Sequence, residues 1–200
     1  MSVKVAIIYY SSTGTLHAMA ERLEQAATSA GAEVRRRHVA ESVPDDAVAA
    51  NPDWAAHVTA TRDEPRATPQ DMVWGDVVLL GSPTRFGNVS SQFQGFMDTL
   101  GPAWSRGDLA DKVYAGFTAS QTAHGGQEST LLALYHQVIH FGGLVVAPGY
   151  TDPVKFTDGN PYGVSHATGG DNDIPLGQAQ LDALDHLVRR TVHVATRLAQ

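Results

Sequence analysis

Three short runs in this 200-residue chain carry the groups that could do chemistry. The first reads Tyr9-Tyr10-Ser11-Ser12-Thr13-Gly14-Thr15-Leu16. It joins an apolar run to a helix-like stretch. Backbone N–H groups at a helix start are unpaired, and the helix dipole favours an anion there. Hydroxyls add donors, and no lysine is present. The spacing therefore predicts a phosphate held by neutral donors. It lacks the Gly-x-x-x-x-Gly-Lys pattern of a nucleoside triphosphate loop.

The second run reads Gly81-Ser82-Pro83-Thr84-Arg85-Phe86-Gly87-Asn88. Pro83 stiffens a turn, and the glycines let backbone approach a flat ligand. Phe86 can lie against a ring, and Arg85 can offer donors to an electron-rich ring edge. An ordinary strand–helix turn with Asn88 as the cap fits the same residues. The third run, residues 118–126, is polar and leads into a helix. Its backbone N–H groups could bond the carbonyls of a planar heterocycle, although a plain solvent loop reads the same way.

These runs need elements to bring them together. Apolar segments at residues 3–8, 34–39, 76–81, 112–119 and 144–147 read as strands. The second alternates with Arg35, Arg36 and Arg37, as an edge strand does. Helical stripes occupy residues 16–30, 90–100, 127–141 and 178–198. Strands alternating with helices predict a parallel sheet with helices on both faces. In the order 2-1-3-4-5, strands one, three and four are neighbours, and the three runs converge at their carboxyl ends. Residues 41–71 and 150–176 break the alternation and read as insertions in one domain, residues 1–200.

Composition narrows the function. The chain has no cysteine, which excludes disulfides, thiolate metal sites and thiol catalysis. The net charge is −7, unsuited to sequence-independent nucleic-acid binding. No apolar run approaches a membrane span of ~20 residues, and no secretory leader is evident. His136 and His140 share a helix face, but no further ligand completes a metal site, so no metal is expected. Trp54, Trp74 and Trp104 read as packing residues, with Trp104 favoured by its place after the second loop's helix. No Gly-x-Ser-x-Gly elbow supports a hydrolase.

With those residues in view, the chain resembles the flavodoxin-like fold, a three-layer α/β/α sandwich on a five-stranded parallel sheet. Within it, the chain resembles the tryptophan-repressor-binding-protein (WrbA-like) family of type IV NAD(P)H:quinone oxidoreductases. The resemblance rests on Tyr9 to Gly14, on Gly81 to Asn88, on His124-Gly125-Gly126-Gln127-Glu128, and on Pro161-Tyr162-Gly163 with Gly169-Gly170-Asp171. It implies noncovalent FMN, NADH or NADPH as co-substrate, a cytoplasmic homotetramer built as a dimer of dimers, and ping-pong two-electron reduction of quinones. A flavodoxin-type electron carrier and a non-enzymatic FMN-binding regulator are the alternatives.

The resemblance also assigns residues. Ser11, Ser12, Thr13, Gly14, Thr15 and Leu16 would hold the FMN phosphate. Pro83, Thr84, Arg85, Phe86 and Gly87 would line the flavin ring. Ala119, Ser120, Gln121, Thr122, Ala123, His124 and Gly125 would bind its polar edge. His140 would reach FMN from a neighbouring subunit, Trp104 would pack on the substrate side, and Thr13 would also touch the nicotinamide nucleotide. No residue is assigned as an obligatory acid or base. Thr13 stands where this family often has an aromatic residue, and Phe141 where a second histidine is common.

Overall fold

A computed structural model describes residues 2–200. In chain order the elements are β1 (Lys4–Tyr9), α1 (Thr15–Ser29), β2 (Glu33–His38), α2 (Asp45–Ala49), α3 (Pro52–Ala60), α4 (Pro69–Trp74), β3 (Val77–Pro83), α5 (Ser91–Asp98), α6 (Gly101–Ser105), β4 (Val113–Ser120), α7 (Gln127–Phe141), β5 (Leu144–Val145), α8 (Val154–Asp158), β6 (Val164–Ala167) and α9 (Gln178–Leu198). The strands pair in parallel, as the alternation predicts, in the order β2-β1-β3-β4-β5 that the resemblance implies, and β6 also pairs with β4.

Successive strand residues point to opposite faces, so a strand buried on both sides feeds two cores. On one face Ile7, Leu79, Ala115 and Phe117 pack with Leu16, Leu23, Leu184 and Leu187 of α1 and α9. On the other, Ile8, Val78, Leu80 and Tyr114 pack with Phe93, Leu131, Leu134 and Val138 of α5 and α7. β3 and β4 are buried at every position, which explains their unbroken apolar sequence.

The last edge position differs from the expected single strand at 144–147. Two short strands share it. β5 pairs with Val113 and Tyr114, and β6 pairs with Phe117 to Ser120. The break has a local cause. Val146 N–H still reaches the Tyr114 carbonyl at 2.8 Å, but Pro148 has no N–H to continue the ladder. The chain leaves the edge, forms α8, and returns.

Its return is fixed from inside. The fully buried Lys155 pairs with Asp158 and donates to the Gly163 carbonyl at 2.9 Å. Tyr135 donates to the Tyr162 carbonyl and accepts from the Gly116 N–H. At Gly163 a Cβ would stand 2.3 Å from the Gly116 carbonyl oxygen, so only glycine lets β6 close on β4. The expected insertion at 150–176 thus supplies an edge strand, and the one at 41–71 folds as α2, α3 and α4.

Candidate functional site

β1, β3, β4 and β6 end side by side, and the loops leaving them meet. They enclose a cavity of about 490 Å³, within the usual range for a small-molecule site. Its walls take Ser11, Ser12, Thr13, Thr15 and Leu16 from the first loop, Pro83, Thr84 and Arg85 from the second, and Ala119, Ser120, Gln121, Thr122 and Gly125 from the third. Asn51, Trp54, Thr168 and Asn172 complete it.

The first loop is shaped to offer amides. Buried Ser11 accepts the Gly14 N–H on its Oγ at 3.1 Å. Gly14 has φ +101°, a left-handed conformation that glycine tolerates best. The first helical bond runs from Ala18 N–H to the Gly14 carbonyl. The N–H groups of Ser12, Thr13, Thr15 and Leu16 therefore have no acceptor among the described residues. Four free donors at a helix start, with no side-chain cap over them, fit a phosphate group.

The second loop is a tight hairpin. Arg85 and Asn88 exchange backbone bonds at 2.7 and 3.1 Å. Phe86 and Gly87 occupy its tip at φ +55° and +78°. The turn holds Phe86 fully exposed, an uncommon conformation for a bulky residue. Thr84 is tied down by Thr130 Oγ1 at 2.8 Å and by the Gly87 N–H at 3.2 Å. Arg85 reaches Ser12 Oγ at 3.3 Å, so its charge lies toward the phosphate loop rather than at a ring edge.

The third loop keeps its polar groups turned inward. Ser120 Oγ and Gln127 Nε2 both donate to the Thr122 carbonyl, at 2.7 and 3.1 Å. The N–H groups of Thr122, Ala123 and His124 find no acceptor among the described residues. They can serve the carbonyls of a planar heterocycle. Together with the free amides at the other end, the donor set suits FMN: a phosphate at one end and a polar ring edge at the other.

Two walls came without a sequence signal. Trp54 is half-buried, and its indole donates to Glu41 at 2.9 Å. The same carboxylate accepts from Tyr10 at 2.6 Å and Gln92 at 2.7 Å. Burial alone would raise Glu41, but the hydrogen bonds from Tyr10, Gln92 and the Val43 and Ser42 amides outweigh it and hold the carboxyl below its usual range. The Asn51-Pro52 pair, a helix cap followed by a proline at N1, is the one local cue to α3. At the other wall, Thr168 N–H bonds the Ser120 carbonyl at 2.8 Å, and Gln121 Nε2 bonds the Gly170 carbonyl at 3.0 Å.

Other assigned residues stand outside the cavity wall. Gly14, Phe86 and Gly87 belong to its loops without lining it, and Ala123 and His124 are exposed. His140 lies in the last turn of α7, while the helix starts at the crevice. Thirteen helical steps separate Gln127 from His140, about 20 Å. Trp104 sits with it, donating to the His140 carbonyl at 2.7 Å. Neither reaches the crevice of its own chain.

The chain matches the model of a family described as NADPH-dependent FMN reductase over residues 3–152. It is 44% identical to an NAD(P)H dehydrogenase (quinone) of Deinococcus radiodurans, over 98% of this chain and 97% of that one. A protein of the same name from Sinorhizobium fredii is 36% identical over 98% of each. In structure the chain is similar to a flavodoxin, WrbA-like protein from Agrobacterium tumefaciens, with TM-score 0.68, 22% identity and coverage of 98% and 99%. A flavodoxin from the domain Archaea gives TM-score 0.61 at 14% identity over 99% and 100% of the two chains. These likenesses give the flavodoxin-like fold.

Proposed function

The chain belongs to the NADPH-dependent FMN reductase family, and from that premise we propose what its crevice does. It is an FMN-dependent NAD(P)H:quinone oxidoreductase. The observation that carries this is a cavity with free amides at both ends, in a chain that matches NAD(P)H dehydrogenases (quinone) along nearly its whole length.

When bound, FMN supplies the two-electron redox chemistry. The protein supplies position and field. Ser12, Thr13, Thr15 and Leu16 present the amides that would take the phosphate. Arg85 adds positive charge at that end, supported by its contact with Ser12. Thr122, Ala123 and His124 would donate to the polar edge of the ring, where donors favour accumulated negative charge. Trp54 and Thr168 would close the sides.

One crevice serves both substrates, so NAD(P)H must leave before the quinone enters. That order is ping-pong. The functional unit in this reading is a homotetramer, a dimer of dimers, in the cytoplasm. The far placement of Trp104 and His140 supports the assembly, because a neighbouring chain's crevice is the one they could serve. Its dependence on NAD(P)H supports the compartment. No helix among the described residues is long and apolar enough to cross a membrane.

The test is direct. The purified protein should show or take up flavin, and should oxidise NADH or NADPH only when a quinone is present. Initial-rate lines at several benzoquinone concentrations should run parallel. Intersecting lines would remove the shared-site order, and a protein that cannot be loaded with FMN would remove the function.

A further inference from the structure

Beside the first loop lies a cluster that the flavin reading does not use. His17 of α1, His38 of β2 and His57 of α3 stack edge to face, with ring centroids 5.3 Å apart for His17–His57 and 5.7 Å for His38–His57. Around them stand Tyr9, Arg36, Glu64 and Arg66.

The three rings are not equivalent. Arginine can only donate, so any ring nitrogen it touches must offer a lone pair. Arg66 touches His38 Nδ1 at 3.0 Å, which leaves His38 Nε2 to donate to the Ser11 carbonyl at 3.3 Å. Arg36 touches His17 Nδ1 at 3.3 Å, and His17 Nε2 faces Glu21 and Glu64. Protonating His38 Nδ1 would break its bond to Arg66 and set cation against cation. His57 differs. Neither of its ring nitrogens has a partner among the described residues, and its Nε2 is buried without one.

His57 also faces the phosphate loop, at Gly14. Its Nδ1 lies 3.7 Å from where a Cβ on Gly14 would stand. With Thr13 it lines a hollow of about 530 Å³ that adjoins the main cavity through Thr13 and Asn172. Resting on the flavin reading, we propose that His57 adds a second positive charge, beside that of Arg85, to the lysine-free loop, taking up a proton when the ligand's phosphate binds.

Its surroundings allow this switch. In the free protein burial pushes His57 down to about 4, helped by nearby His17 and Arg66 and opposed by Glu64. It is therefore neutral at pH 7. Asp53, Asp171 and Asp173 line its hollow, and Glu64 is the carboxylate that favours its protonated form. A phosphate brings a further charge of about −1.5 to −2. An opposite charge within about 4–6 Å shifts a titrating group by roughly 1–3 units, and a rise of about two units or more leaves His57 substantially protonated at pH 6.

The experiment follows the proton in the wild-type protein. NMR titration of the His57 ring, assigned with H57Q, should give a value at least about two units higher with FMN bound than without. Calorimetry at pH 6 in two buffers of different ionisation heat should show more proton uptake on FMN binding by wild type than by H57Q. Inorganic phosphate should reproduce the shift in part, and riboflavin, lacking the phosphate, should not. FMN binding with an unmoved His57 titration, or a shift equal for riboflavin, would overturn the inference and leave the flavin site standing. Failure of the wild-type protein to bind FMN at any pH would overturn both.

Discussion

The crevice has two kinds of wall. One is made by loops that leave β1, β3 and β4. Their positions follow from a parallel sheet buried on both faces, and their backbones are pinned a few residues from a strand end. The other is made by α3 and by residues 168–172, which are held by contacts across long stretches of chain. The first wall resists perturbation because the core would have to move with it. The second depends on a few polar anchors, and each anchor can be removed singly.

The largest effect should come from the second wall. Lys155→Met leaves Asp158 buried without its cation, a loss of about 3–5 kcal/mol in cases of this kind. Thermal melting should fall by roughly 10 °C. Because α8 and β6 carry the chain to Thr168, FMN affinity should fall too. A variant that melts as expected but binds FMN normally would show that this wall is dispensable.

The next effect is pH-dependent. Burial pushes His38 and His57 down to about 4, from an ordinary value of 6.5. Between those values the unfolded chain binds more protons than the folded one. Stability from these two rings is therefore complete above pH 6.5 and is lost as pH falls toward 4. Urea unfolding at pH 7 and pH 5 should show a drop of the order of 1–3 kcal/mol. FMN-loaded protein should lose less, since the bound phosphate would hold His57 closer to its unfolded value. An equal loss with and without FMN would separate the cluster from the loop.

Smaller effects compare the walls residue by residue. Ser11→Ala removes the acceptor of the Gly14 N–H and should weaken FMN by about 1 kcal/mol, or roughly fivefold, while leaving riboflavin unchanged. Trp54→Phe keeps an aromatic wall but strands Glu41 without one donor. It should cost about 0.5–1.5 kcal/mol of FMN affinity, with riboflavin affected equally. If both variants weakened FMN and riboflavin alike, the assignment of the phosphate to the first loop would fail.

The same contrast explains what the sequence discloses. Residues 11–16, 81–88 and 118–126 each join a buried strand to a helix, so their chemistry and place can be read together. The alternation of elements implies a parallel sheet, and the flavodoxin-like resemblance implies the order of its strands. Trp54 could not be placed because its partner is Glu41, met only when α3 folds back over Tyr10. β6 is four residues long, and its pairing with β4 spans more than forty residues with no periodic trace between them. The resemblance has His140 reach FMN from a neighbouring subunit and Trp104 pack on the substrate side, and their own chain holds the two together at the far end of α7. The histidine cluster hides for the same reason: His17, His38 and His57 are spread over forty residues and meet only in three dimensions.

The central claim is that this crevice holds FMN and passes two electrons from NAD(P)H to a quinone. The measurement that tests it most directly is quinone-dependent NADH and NADPH oxidation by protein stripped of flavin and then reloaded with FMN. Stripped protein should show no turnover, and reloaded protein should show restored turnover with parallel initial-rate lines against benzoquinone. FMN uptake without quinone-dependent oxidation, or turnover that does not depend on FMN, would contradict it.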